Sequence, residues 1–247
     1  MESINTSYEE LFPKCNVVHF GNEEEWHQLR GKGLGGSDIA SVLGENKYKS
    51  KHQLWLEKTK RVKPAQLDSE AIETGNLMEP ILVDQYYALY RKEIAKVLDV
   101  KSISLSRKDK PYMRANLDGA YIDKDGKLTI LEIKTSTIQN YAMLQDWGID
   151  EDGNEKIPFN YYCQCLWYLL VTDADRVVLY AHLDIPWGKQ PHGETRRAVI
   201  NKEDVREDME YIQQHADVFW NTVIQDIEPA VVERKYRCQL SYVLILL

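Results

Sequence analysis

The chain has 247 residues, 43% of them apolar, enough for one well-buried domain without requiring a second. Its formal net charge of −8 excludes a protein coated in positive charge, although basic residues gather locally, from Lys47 to Lys63 and at Arg107, Lys108, Lys110 and Arg114. No apolar run approaches the roughly 20 residues of a membrane helix and no leader pattern opens the chain, so a soluble, cytoplasmic protein with no membrane partner is expected.

In chain order, Asn22 with Glu25 at the third helical position predicts a capped helix running to about Arg30. The turn "GKGLGG" leads into a second short helix, Ser37 to Leu43, closed by Gly44. Asn76 with Glu79 predicts another helix start, continued by "PILVDQYYALYRK", with Pro80 in a first turn whose amides have no intrahelical partner. A strand over 98–105 precedes a hairpin in which "NLDGAYID" returns as "KLTILEIKT" through the Asp125-Gly126 turn. The helix from about Pro158 to Val171 is apolar nearly all round and therefore buried. Two strands, "RVVLYAHLD" and "TRRAVIN", and a closing helix from about Lys202 to Ile224 follow. This order predicts a single α/β domain over 1–247, with a mixed central sheet flanked by helices, a motif-bearing core over about 22–200 and a C-terminal helix and tail over 202–247.

The four cysteines, Cys15, Cys163, Cys165 and Cys238, form no CxxC and read as reduced thiols. The six histidines show no zinc spacing. Taken by itself, the lysine-rich segment from Lys47 reads as a solvated loop. The tail "YVLILL" matches no functional pattern.

One strand stands out chemically. In "TILEIKTST", residues 129–137, the aliphatic run is interrupted by Glu132 and Lys134. Residues two apart share a face, so carboxylate and ammonium stand side by side while Leu131 and Ile133 face the other way. A buried ion pair is a poor route to stability, because desolvation costs several kcal/mol per ion. Antiparallel pairing about the turn can bring Asp118 close to Glu132, and two neighbouring carboxylates repel unless a cation lies between them. Oxygen donors of this kind suit hard divalent cations, Mg2+ above all, and Lys134 would then stand beside a water or a phosphate.

Asp118, a gap of thirteen residues and then Glu132-Ile133-Lys134 spell the D…ExK signature of the PD-(D/E)xK nucleases. Three further stretches add to it. "TGNLMEPI" carries Glu79; "NYYCQCLWYLL" carries Gln164, the one strongly polar side chain in the middle of an apolar helix, which must find a partner. "LRGKGLGGSDIA" lacks a nucleotide-loop pattern but offers paired glycines, Ser37, amides at a helix start and Arg30 one turn upstream, a cradle suited to phosphate.

These stretches, in this order, closely resemble the YqaJ-type viral recombinase family, the phage lambda exonuclease family of PD-(D/E)xK nucleases, from about Trp26 to Val178. The resemblance implies a restriction-endonuclease-like core and a 5′-to-3′ exonuclease that degrades one strand of linear duplex DNA, leaving a 3′ single strand for a phage annealing protein. It also implies a toroidal homotrimer encoded by a phage or prophage. By the same resemblance Glu79, Asp118, Glu132 and the Ile133 carbonyl hold two Mg2+ ions, with Mn2+ as a substitute, while Lys134 and Gln164 position and activate water. Arg30 and Ser37 would hold the 5′-terminal phosphate, joined by Asn116 where some relatives have serine. No iron–sulfur cluster is expected, since Cys163 and Cys165 flank Gln164 and no C-terminal cysteine triplet exists. An endonuclease of the same fold and a non-catalytic DNA-binding module are the alternatives.

Overall fold

The computed structural model describes residues 7–64, 70–149, 153, 155–188 and 190–231. Cys238 and the "YVLILL" tail lie outside the described residues. A short helix α1 (Tyr8–Leu11) and strand β1 (Cys15–His19) precede the first predicted helix, α2 (Glu23–Arg30), whose cap Asn22 accepts from the Glu25 amide at 2.9 Å. The glycine turn enters a 3-10 turn, Gly36–Asp38, that continues into α3 (Ile39–Leu43) and ends at Gly44. Helix α4 (Lys51–Lys58), capped by Ser50, follows.

Two expectations are corrected in the next segment. Helix α5 (Glu70–Leu89) begins well before Asn76, which is therefore no cap, and Pro80 lies in the helix interior. Glu70, Ala71 and Glu73 favour helix and place acid at its positive end. Gly75 lets the helix lie close on the sheet, since a β-carbon there would stand 3.3 Å from Thr135 Oγ1. The predicted strand over 98–105 is two strands, β2 (Ile94–Leu98) and β3 (Ile103–Arg107), in different sheets. Between them Asp99 accepts from the Lys101 amide and the Ile103 amide reaches back to the Val100 carbonyl, which turns the chain.

Strand β4 (Arg114–Ala115) joins β1 and β3 in a three-stranded sheet. Then come β5 (Gly119–Asp123), β6 (Leu128–Thr137), α6 (Tyr141–Gln145), α7 (Phe159–Thr172), β7 (Arg176–Ile185), β8 (His192–Asn201), a 3-10 turn at Lys202–Val205 and α8 (Arg206–Ile224). The larger sheet has the order β2-β5-β6-β7-β8. The hairpin β5–β6 is antiparallel as predicted, whereas β6 and β7 are parallel and α7 is their crossover.

Alternation along the strands splits the core. Leu131, Ile133, Tyr121, Val178 and Tyr180 pack under α5 through Leu82, Val83 and Tyr86. Ile130, Ala120, Val177, Leu179 and Ala181 lie on the opposite face with α7. Each Leu, Ile or Val among them removed from water stabilises the fold by about 1.5–3 kcal/mol. Every residue of α7 from Cys163 to Thr172 is buried, in keeping with its all-round apolar sequence. Cys15, Cys163 and Cys165 are buried free thiols.

Candidate active site

The hairpin register fixes the centre of the site. Gly119 pairs with Leu131, and one further step sets Asp118 opposite Glu132. The Ile133 amide donates to Asp118 Oδ2 at 2.8 Å, tying the aspartate to the strand that carries Glu132. With Leu131 and Ile133 committed to the α5 face, Glu132 and Lys134 fall on the α7 face, as the period of two requires.

Glu132 is 1% exposed. Its Oε1 accepts from Gln164 Nε2 on α7 at 2.6 Å and lies 2.6 Å from Lys134 Nζ. Its Oε2 is buried without a hydrogen-bond partner. Gln164 also donates to the Tyr168 hydroxyl at 2.8 Å, and the Lys134 ammonium stands 5.2 Å from the centre of the Tyr161 ring. Tyr161, Gln164 and Tyr168 recur at helical spacing on one face of α7. That spacing was available in the sequence as the signal for the two tyrosines, which the motif reading passed over.

Charge crowds this face. Burial, then the Glu132 and Glu79 carboxylates, push Asp118 well above the usual carboxylate range, against the pull of Lys134 and the Ile133 amide. Glu79, on α5, is more open to solvent; the protein around it and then Glu132 push its pKa up. Burial draws Lys134 down, but Glu132 and Asp118 outweigh it and raise the ammonium above the ordinary lysine value. Asp118 and Glu79 thus resist shedding their protons together unless a cation joins them.

Among the described residues no three His, Cys, Asp or Glu side chains converge closely enough to hold a metal as they stand. The donor set nonetheless fits a hard divalent cation: Asp118 and Glu132 face each other, Glu79 lies within electrostatic reach, and Glu132 Oε2 has no other partner.

The glycine loop lies against this centre. Arg30 Nη2 donates to Ser37 Oγ at 2.7 Å, so the two predicted phosphate contacts do meet. Gly36 packs onto α7 so tightly that a β-carbon would fall 2.7 Å from Gln164 Cγ. The Gly35 amide donates to Asp38 Oδ2 at 3.0 Å, because Asp38 folds back over the loop. Asp38 is in turn 2.8 Å from Lys58 Nζ, a nearly buried ion pair between the loop and α4 that no motif announced. Asn116 donates to the Ile103 carbonyl at 3.4 Å, and among the described residues no hydrogen bond joins it to Arg30 or Ser37.

Much of the basic sequence is neutralised within the fold. Lys49 pairs with Glu57 at 2.5 Å, Arg61 with Asp226 at 2.7 Å, Arg107 with Asp109 at 2.6 Å and Lys110 with Asp217 at 2.6 Å. The stretch from Lys47 is thus no mere solvated loop; α4 occupies its middle.

Residues 25–175 match the model of the YqaJ-like viral recombinase domain. Over 154 residues the chain is 34% identical to the uncharacterized protein YqaJ of Bacillus subtilis (strain 168), an alignment covering 62% of this chain and 44% of that one. Over 61 residues it is 41% identical to protein D345L of African swine fever virus (strain Badajoz 1971 Vero-adapted), covering 25% of this chain and 17% of the other. The chain therefore spans less than half the length of these curated relatives. The crystal structure of an alkaline exonuclease, LHK-Exo from Laribacter hongkongensis, superposes with a TM-score of 0.53 at 17% identity, covering 83% of this chain and 94% of that one. Its complex with dAMP gives 0.58 at 15% identity with the same coverage. The fold is thus shared with this alkaline exonuclease, a mixed sheet flanked by helices. The domain match takes in more than half of the sequence and contains the hairpin carboxylates, Lys134, Gln164 and the glycine loop, and the chain belongs to the YqaJ-like viral recombinase domain family.

Proposed function

We propose that this chain is a divalent-metal-dependent 5′-to-3′ exonuclease on linear duplex DNA, using Mg2+ and accepting Mn2+, and leaving 3′ single strands. The observation that carries the reading is Glu132: buried, facing Asp118, held by Gln164 and Lys134 through one oxygen and unpartnered at the other. Glu79, Asp118, Glu132 and the Ile133 carbonyl would hold the metal, in two ions by the family resemblance. When bound, the metal supplies Lewis acidity to the scissile phosphate.

The chain's own residues do the rest. Gln164 fixes the Glu132 carboxylate in one orientation. The Lys134 ammonium, backed by the Tyr161 ring, offers hydrogen bonds to the attacking water and to charge developing on phosphate. Hydrolysis joins the water oxygen to phosphorus and breaks the bond to the 3′-oxygen, releasing a nucleotide and leaving a 5′-phosphate on the next one. Arg30 and Ser37, with Asn116, would receive that new phosphate, and the Gly36–Gln164 packing couples this cradle to the hydrolytic centre. A homotrimer around the duplex and delivery of the product to a phage single-strand annealing protein complete the proposal on the strength of the resemblance.

Digestion of 5′-phosphorylated linear duplex, 5′-hydroxyl linear duplex and a closed circle with Mg2+ tests it. Nucleotide release from the phosphorylated linear substrate, slower release from the hydroxyl form and an intact circle are expected. Cutting of the circle would favour the endonuclease, and no hydrolysis of any substrate would leave a binding module.

A further inference from the structure

Arg114, on β4, is 6% exposed, yet among the described residues it has no carboxylate within ion-pair distance. Its Nη2 donates to Ser104 Oγ at 3.3 Å and its Nε is buried without an acceptor. Burial alone shifts its pKa, downward, with no counter-charge opposing. Its neighbours in the same basic cluster differ: Arg107 and Lys110 hold aspartates, and Lys108 donates to the Pro13 carbonyl. An unpaired buried charge is costly to keep, so a partner from outside the chain is the natural complement.

Strand pairing locates the guanidinium. Ser106 lies opposite Arg114 and Leu105 opposite Ala115, and one further step sets Ser104 opposite Asn116. Ile103, Leu105, Met113 and Ala115 belong to the core, so Ser104, Ser106, Arg114 and Asn116 share the other face of the three-stranded sheet. The remaining edge of β4 is taken by the glycine loop: the Leu34 amide donates to the Tyr112 carbonyl at 2.7 Å, and the Arg114 amide donates to the Leu34 carbonyl at 2.9 Å. Leu34 is a core residue, so Gly33 and Gly35 flank it on the Arg114 side, and the loop runs on to Ser37. The uncompensated charge therefore sits one strand from the loop that joins Ser37 to Arg30.

We propose that Arg114, with the hydroxyls of Ser104 and Ser106, forms an anion seat for a backbone phosphate of the DNA, beside the Asn116 amide and the Arg30–Ser37 loop. A planar guanidinium flanked by hydroxyl and amide donors, with no acid among them, matches a phosphate group. The seat deepens the nuclease reading and rests on it for the identity of the ligand.

The test uses the full chain as parent, Arg114→Met and Arg114→Gln. Thermal midpoints are read with and without inorganic phosphate, and affinity for a 5′-phosphorylated duplex is read in Ca2+ at several salt concentrations. The parent should gain stability in phosphate. Both variants should match or exceed the parent without phosphate, lose the phosphate gain, bind duplex at least tenfold more weakly, and lower the slope of log affinity against log salt by about one unit. Variants that lose stability but keep parental affinity and salt slope overturn the proposal, and so does a parent unmoved by phosphate, whichever variants fold. Failure of the nuclease reading looks different: the parent would then release no nucleotides from linear duplex in Mg2+, whatever its response to phosphate.

Discussion

Gly36 packs against Gln164 closely enough that a β-carbon on the glycine would fall 2.7 Å from Gln164 Cγ and 3.1 Å from Tyr168 Cε1. Gln164 is the residue that orients Glu132, so the contact links the glycine loop to the carboxylate. Gly36→Ala should push Gln164 off Glu132, lowering kcat tenfold or more while costing about 1–3 kcal/mol of stability through overpacking. Steady-state kinetics beside thermal melts check this. Parental kcat in a folded variant would show that the loop and the hydrolytic centre are independent.

Asp118 links stability to pH. Its pKa is raised on folding, so the native state holds a proton that the unfolded chain has already released. In metal-free protein this favours folding at acid pH and is lost as pH rises from the ordinary carboxylate range toward the raised native value. Asp118→Asn should flatten that fall in the melting temperature, measured in EDTA, while abolishing nucleotide release in Mg2+. Lys134→Met should also abolish turnover yet keep divalent-cation binding, since the ammonium is not a ligand. An Asp118→Asn variant within a fewfold of parental activity would remove Asp118 from the site.

Arg30 tests end recognition apart from chemistry. Arg30→Ala should erase the preference for 5′-phosphorylated ends and shorten each digestion run. A charge-assisted contact of about 1.5–3 kcal/mol corresponds to tenfold or more in the ratio of rates on phosphorylated and unphosphorylated ends. If that ratio survives the substitution, the Arg30–Ser37 pair is a structural contact and the endonuclease reading gains.

The Asp38–Lys58 pair, with side chains only 8% and 9% exposed, anchors the loop to α4. Lys58→Met leaves a buried carboxylate that keeps the Gly35 amide but loses its counter-charge, at a cost of about 3–5 kcal/mol. At this chain length that is a drop of roughly 10 °C in melting temperature. Asp38→Asn combined with Lys58→Met should recover part of the loss, because no unpaired charge then remains. A single variant melting with the parent would mean that the pair contributes nothing net.

The parts of this protein legible in the sequence are those governed by neighbours along the chain. The β5–β6 hairpin closes over a short turn, so its local register alone places Asp118 opposite Glu132, and the period of two places Lys134 on the same face. The all-round apolar run of α7 announced a buried helix and left Gln164 in need of a partner. What the tertiary structure decided depends on packing between distant segments. Asn76 with Glu79 has the local form of a helix cap, yet α5 runs through it from Glu70 with Gly75 set against Thr135 of β6, and an apolar stretch that reads as one strand is divided between two sheets. The meeting of Gly36 with Gln164, the burial of Asp38 against Lys58 and the isolation of Arg114 leave no periodic trace, because each arises where elements far apart in sequence come to share one interior, and desolvation there sets which charges need a partner.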